Sequence, residues 1–113
     1  MSCLFCQIAS KKIPATLLFE DEQVLAFNDI VPQAPVHVLI IPKQHIESLN
    51  QVQAQEASLL AHIIFTAQHL ATTLHIAESG YRLVFNTHAQ GGQTVYHLHG
   101  HLLGGRQLTW PPG

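Results

Sequence analysis

The sequence predicts an α+β fold: a five-stranded antiparallel sheet with one long and one short helix. Two observations carry this. Five short apolar runs, rich in strand-forming residues, are separated by turn-forming residues. A single long stretch, from Val52 to about His75, instead carries apolar residues at three- and four-residue spacing.

Taken in order, Leu4 to Ser10 predicts the short helix, ended before Ile13-Pro14. Leu17-Leu18-Phe19-Glu20 and Val24-Leu25-Ala26-Phe27 predict two strands joined around Asp21-Glu22. Pro32 and Pro35 mark a loop. Val36 to Ile41 predicts a strongly apolar strand, with His37 its polar member and Pro42 its stop. In the long helix Leu60, Ile63, Ala67, Leu70 and Leu74 form the core-facing stripe, and Gly80 closes the unit. Tyr81 to Asn86 and Val95 to Leu103 predict the last two strands, connected by a Gly-Gly turn. No internal repeat, low-complexity tract or linker interrupts residues 1–113, so one domain is expected.

Composition narrows the function classes. Charged residues make up only 11% of the chain against an average of about 25%, so extra buried surface is expected, and a homodimer interface is the simplest source. The net charge is −2 and no basic run exists, which argues against nucleic acid as a partner. No apolar run approaches the ~18 residues of a membrane span, and the start of the chain has no charged segment leading an apolar core. A cytoplasmic location is expected, where Cys3 and Cys6 would be reduced thiols or metal ligands rather than a disulfide.

The chemistry is expected at His97, His99 and His101, which alternate with Leu98 and Gly100 in Val95-Tyr96-His97-Leu98-His99-Gly100-His101-Leu102-Leu103. On a strand, all three imidazoles point to one face. Three readings compete. One is a hydrated outer face that happens to be rich in histidine. A second is a metal site: neighbours two apart lie ~6.6 Å apart at Cα, so two rings can share an ion, while the outer pair at ~13 Å cannot easily join them. A metal-dependent hydrolase with His97 and His99 as ligands would follow. The third is acid–base or nucleophilic catalysis on an anionic substrate.

The surrounding residues bear on the choice. His-x-His-x-His with apolar or small spacers, the lead-in Gly91-Gly92-Gln93-Thr94-Val95-Tyr96, and the ending Gly104-Gly105-Arg106 with Thr109-Trp110-Pro111-Pro112-Gly113 resemble the histidine triad (HIT) superfamily, its Hint branch in particular. Phe27-Asn28-Asp29-Ile30-Val31-Pro32-Gln33-Ala34-Pro35 and His37-Val38-Leu39-Ile40-Ile41-Pro42-Lys43 extend the similarity over nearly the whole chain. Gly100 departs from it, since the branch usually carries a larger apolar residue there; a locally looser strand is expected.

The resemblance implies a HIT-like fold and a reaction. His99 is the nucleophile, attacking an α-phosphorus to give a nucleotidyl-histidine that water breaks. His101 is a donor to a phosphoryl oxygen or to the leaving group, and His97 and His37 belong to the supporting network. On the residues alone, a strand-end histidine bonded to the backbone is the lesser alternative for His101, while His37 could equally be a buried one satisfied by a carbonyl. Asp29 is placed on the ribose hydroxyls, with Phe27, Ile30 and Leu39 near a purine base; an ordinary Asx turn before Pro32 is the alternative. Asn86, Gln93 and Thr94 flank the triad as a phosphate cradle, where the branch more often has Ser at position 94; a polar-shouldered hairpin turn is the alternative. In Hint relatives the tail matching Trp110 lies near the partner's site and tunes the choice of leaving group.

Several HIT relatives hold zinc with two cysteines and two histidines, others in the Hint branch none. Here the matching set is Cys3, Cys6, His45 and His97. A Cys-x-x-Cys pair alone leaves zinc open, and a redox pair lacks its usual βαβ context. No cofactor is expected to be required for catalysis. The resulting expectation is a purine nucleoside phosphoramidase. The alternatives are a dinucleoside polyphosphate hydrolase and a nucleotide-binding interaction protein with incidental turnover.

Overall fold

The computed structural model describes residues 3–113. Five strands form one sheet, β1 (Leu17–Glu20), β2 (Val24–Asn28), β3 (Val36–Pro42), β4 (Tyr81–Val84) and β5 (Gly100–Gly104). Their spatial order is β1-β2-β3-β5-β4, and every adjacent pair is antiparallel. The three helices are α1 (Leu4–Ala9), α2 (Ala57–Thr73) and a single turn, α3 (His88–Gly91). The expected α+β architecture is therefore observed. None of the described helices is long and apolar enough to cross a membrane.

Strand alternation divides the core between the two faces of the sheet. Val24, Ala26, Val38, Ile40 and Leu102 point to one face. There α2 covers them with Leu59, Ile63, Ala67, Leu70 and Ala71. Leu60 and Leu74, assigned to the helix stripe, are only half-buried at its flanks. Leu25, Phe27, Leu39 and Ile41 point to the other face, where α1 covers them with Phe5 and Ile8. The β2 and β3 strands are buried on both faces because each layer claims alternate residues, which explains why they read as nearly continuous apolar runs.

The structure corrects four local expectations. The long helix starts at Ala57, not Val52, because two 3₁₀ turns, Leu49–Gln51 and Ala54–Glu56, precede it. Ser48 Oγ takes the Asn50 N–H at 3.1 Å and Glu56 Oε1 takes the Gln53 N–H at 2.9 Å. These side-chain acceptors compete with helix hydrogen bonds and hold the entry as separate turns. Gly91 and Gly92 do not make a hairpin turn; they end α3, with Gly92 in the left-handed conformation at φ 84°.

The third correction concerns the histidine run, which is not one strand: β5 begins only at Gly100. The ladder stops for a physical reason. Pairing of Ile40 with Gly100 would next bring Leu98 opposite Pro42. Proline has no N–H to donate, its carbonyl accepts from His97 Nε2 at 2.8 Å, and the Leu98 N–H turns instead to the Ile46 carbonyl. His97 and His99 therefore sit on a bent approach to the strand and His101 on the strand itself. Nor is Gly100 loose. A Cβ there would lie 3.1 Å from both Leu83 Cδ1 and Phe85 Cζ, so these side chains already fill the space.

Candidate active site

A cavity of about 740 Å³ opens on the α1 face of the sheet, a size suited to a small organic ligand. One wall is α1, through Leu4, Phe5 and Ile8, continued by Ile13 to Thr16. Phe27, Asn28, Asp29 and Ile30 at the end of β2, with Leu39 of β3, make the second. Thr94, Val95, His99 and His101 complete it. Apolar groups thus gather at the α1 side, and a carboxylate and two imidazoles at the other.

The protonation pattern of these imidazoles follows from their main-chain partners. His99 Nδ1 lies 2.6 Å from the His97 carbonyl, which can only accept, so Nδ1 carries the proton. Its Nε2 keeps a free lone pair. Burial lowers the His99 pKa, against the carbonyl contact and the charge of Asp29, so the ring is neutral near pH 7. A second chain begins at Gln33, whose N–H donates to His37 Nδ1 at 3.0 Å. A neutral His37 must then carry its proton on Nε2, which lies 2.9 Å from His101 Nδ1 and 3.4 Å from Asp29 Oδ2. His101 therefore accepts at Nδ1 and bears its own proton on Nε2. The two cavity histidines are complementary, one with an exposed lone pair and one with an exposed N–H. Their ring centroids are 4.9 Å apart.

Burial also lowers the His37 pKa, partly opposed by Asp29. Burial, then the neighbouring His99 and His37, push His101 down to about 4. Both values lie below the ordinary 6.5, so the unfolded chain takes up protons first as the pH falls. Their contribution to stability is full above about pH 6.5 and is lost as the pH drops toward the folded-state values. The melting temperature is expected to fall by about 5 °C between pH 7 and pH 5. An unchanged value in differential scanning calorimetry would contradict buried neutral imidazoles.

Not every predicted residue reaches the cavity. Phe27, Asp29, Ile30, Leu39, Thr94, His99 and His101 line it. His37 and His97 stand behind it, consistent with supporting places in the network. Asp29 makes the Asx turn as well as facing the cavity, because its Oδ1 accepts the Val31 N–H at 2.8 Å. Gln93 is buried away from the cavity: it accepts the His88 N–H and donates to the Glu47 and Val95 carbonyls, so it braces the loop that presents Thr94. Asn86 is half-buried and does not line the cavity. Trp110 is 80% exposed, on a tail held by Arg82 Nη2 donating to the Thr109 carbonyl.

Sequence reasoning missed the α1 wall. Its signal was present in the apolar Leu4, Phe5 and Ile8, spaced for one face of a short helix. Phe5 is the most engaged of the three. Its ring centroid is 5.0 Å from that of His99 and 5.5 Å from that of Phe27, both at steep interplanar angles.

Behind the cavity, Cys3, Cys6, His45 and His97 bring their ligand atoms within 4.8 Å of one another. His97 Nδ1 lies 3.4 Å from Cys3 Sγ, 3.5 Å from Cys6 Sγ and 3.2 Å from His45 Nδ1. His45 Nδ1 is 3.3 Å from Cys6 Sγ. Since His97 Nε2 is committed to the Pro42 carbonyl, its Nδ1 presents a lone pair to the cluster. A tetrahedral zinc ion, with Zn–S about 2.3 Å and Zn–N about 2.0 Å, spaces its ligands by roughly 3.3–3.8 Å. The donor set and spacing fit such an ion.

A family model of the HIT domain matches residues 10–108. The chain belongs to the HIT family. Among HIT relatives, an uncharacterized HIT-like protein of Synechococcus elongatus is 52% identical over 97% of this chain and 96% of its own length. The adenylylsulfatase HINT1 of Arabidopsis thaliana is 47% identical over 97% of this chain and 76% of its own. The crystal structure of a HIT family hydrolase from Legionella pneumophila superposes with a TM-score of 0.98 at 59% identity, covering 99% of this chain and all of that one. The five-stranded antiparallel sheet with one main long helix is thus the architecture of its solved HIT relatives.

Proposed function

We propose that this HIT protein is a nucleoside phosphoramidase of the Hint branch. Its substrates are purine nucleoside 5′-phosphoramidates or related mixed anhydrides, cleaved through a nucleotidyl-His99. The observation that carries this reading is the paired proton order of His99 and His101 at one edge of an otherwise apolar cavity.

The base packs among Phe5, Ile8, Phe27 and Leu39, and the ribose hydroxyls donate to Asp29. The lone pair on His99 Nε2 attacks the α-phosphorus, a P–N bond forms to the enzyme, and the bond to the leaving nitrogen breaks. The amine takes a proton as it leaves. His101 Nε2–H faces that exchange, and an anionic phosphoryl group beside it offsets the effect of burial and favours its protonated form. Water then attacks the phosphorus and gives its proton to the now neutral His101, and His99 departs as a neutral ring with its proton retained on Nδ1. No step places a metal at the phosphorus.

A mixed anhydride such as adenylyl sulfate fits the same attack, and a relative named adenylylsulfatase favours it. Sulfate leaves as an anion and needs no proton, so one nucleophile serves both leaving groups. The decisive assay offers an adenosine phosphoramidate with a fluorescent amine, and adenylyl sulfate in parallel, with and without chelator. Release of AMP from the phosphoramidate in both conditions supports the reading. Binding without turnover of either would instead make this a nucleotide-binding interaction protein.

Zinc on Cys3, Cys6, His45 and His97 is part of the proposal, in a structural role in the reducing cytosol. So is a homodimer. Ile64 and Phe65 of α2 are exposed, Tyr81 lies on the edge strand β4, and Trp110 stands clear of its own subunit. Sedimentation is expected to show a dimer at micromolar concentration. Truncation after Leu108 is expected to change the preference among leaving groups several-fold, and to change kcat for a small amine less. A monomer at all concentrations would exclude this arrangement.

A further inference from the structure

Helix α1 belongs to two sites at once. Cys3, its N-cap, and Cys6 supply the sulfurs of the thiol–imidazole cluster. Leu4, Phe5 and Ile8 form the cavity wall. At six residues the helix is far below the length that stands alone in water, so its position depends on what grips it. Two things do: the cluster at its N-terminal end, and the burial of Phe5 and Ile8 against Leu25, Phe27, Leu39 and Ile41.

The two grips meet at Phe5. Besides its contacts with His99 and Phe27, its ring centroid lies 6.0 Å from that of His97, at an interplanar angle of 68°. One ring therefore packs against a cluster ligand, the reacting imidazole and the base-pocket wall. The cluster also borders a second, smaller cleft of about 340 Å³ that includes Gln44, His45 and Glu56 and shares no lining residue with the main cavity. None of the four cluster residues lines the main cavity, so an ion on the cluster would not take the space of a nucleotide.

We propose that metal occupancy of the cluster and nucleotide affinity of the cavity are coupled through α1, with Phe5 as the positioning residue that carries the coupling. This rests on the nucleotide and zinc readings above. An ion held by both cysteines fixes the N-terminus of α1 and so sets Phe5 against His99 before the nucleotide arrives. Without an ion the N-terminal end of α1 is held only by single thiol–imidazole contacts in place of a common partner, Phe5 and Ile8 carry most of the remaining grip, and nucleotide binding has to order more of the wall itself. Linkage is reciprocal, so a nucleotide that prefers the ordered wall tightens the ion by the same factor.

The test is calorimetric titration of AMP into zinc-loaded protein and into chelator-treated protein. Zinc is held to one equivalent, because Asp29, His37 and His101 form a second group with ligand atoms within 4.8 Å that could take an excess ion. AMP is expected to bind about 10-fold more weakly without zinc, within the usual range of coupling between sites. A second measurement starts from loaded protein and reads the metal side. Equilibrium competition for zinc with a chromophoric chelator is expected to show about 10-fold tighter zinc binding under saturating AMP. In Phe5→Leu, which keeps apolar bulk but loses the bridging ring, both factors are expected to shrink to within about two-fold while zinc still binds; unchanged factors would overturn the role of Phe5. Equal AMP affinity in both states, with zinc affinity indifferent to AMP, would overturn the coupling and leave both sites standing. Loaded protein that binds no AMP would refute the nucleotide site, and protein that takes up no zinc would refute the metal site; either result removes the coupling too.

Discussion

His99→Ala is expected to lower turnover of a nucleoside phosphoramidate by on the order of 10⁴-fold or more, while AMP binding changes little. The asymmetry follows from the geometry. His99 reaches the cavity with Nε2 only, its Nδ1 being tied to the His97 carbonyl. Most of the cavity wall comes from other elements: α1, the end of β2 and β3. Removing the ring deletes the attacking lone pair and leaves most of the binding surface. Rapid quenching of the wild-type reaction, followed by mass spectrometry of peptides, is expected to find the nucleotide on His99 and not on His97. A variant that keeps more than about 1% of kcat would rule out covalent catalysis at this residue.

Cys3→Ser is expected to reduce bound zinc from about one per chain to a small fraction, and to lower the melting temperature by about 10 °C. That shift corresponds to roughly 3 kcal/mol in a chain of this length. The size of the effect reflects what the cluster joins. Its four ligands come from α1, from the segment after β3 and from the approach to β5, stretches far apart in sequence. It also holds the ring of His97, whose carbonyl orients His99. Zinc content by plasma emission and melting by calorimetry on the same samples decide the matter. Metal-free wild-type protein with an unchanged melting temperature would sink the structural role.

The elements that were legible in the sequence are those whose burial pattern is simple. Val24–Asn28 and Val36–Pro42 are apolar on both faces, and α2 carries a three-and-four stripe, so pattern and structure agree. The histidine run misled because strand propensity is local, whereas the ladder depends on the partner. Nothing within Val95 to His99 announces that Pro42 stands opposite and cannot donate a hydrogen bond. The same limit hid the role of Gln93, whose amide answers three backbone groups of its own loop and of the Glu47 region. Phe5 was legible as a buried aromatic on a short helix, but its contact with His99 depends on how α1 docks. Asp29 just after β2, Leu39 of β3 and His101 of β5, singled out through the family resemblance, all line the cavity because the sheet fixes their positions. Trp110, on a tail with little of its own subunit around it, did not join the cavity.

The proton order of the cavity begins at a peptide group. The Gln33 N–H sets His37, and His37 sets His101. Side-chain identity at position 33 contributes nothing to that order; its amide instead bonds its own loop, at the Val31 carbonyl. Any residue that keeps this N–H leaves the proton order undisturbed. Nineteen amino acids carry the needed donor and one does not, so the chemistry here has a genetic vulnerability to proline alone. The side chain at position 33 gives no sign of this, although its N–H decides which nitrogen of His101 faces the cavity.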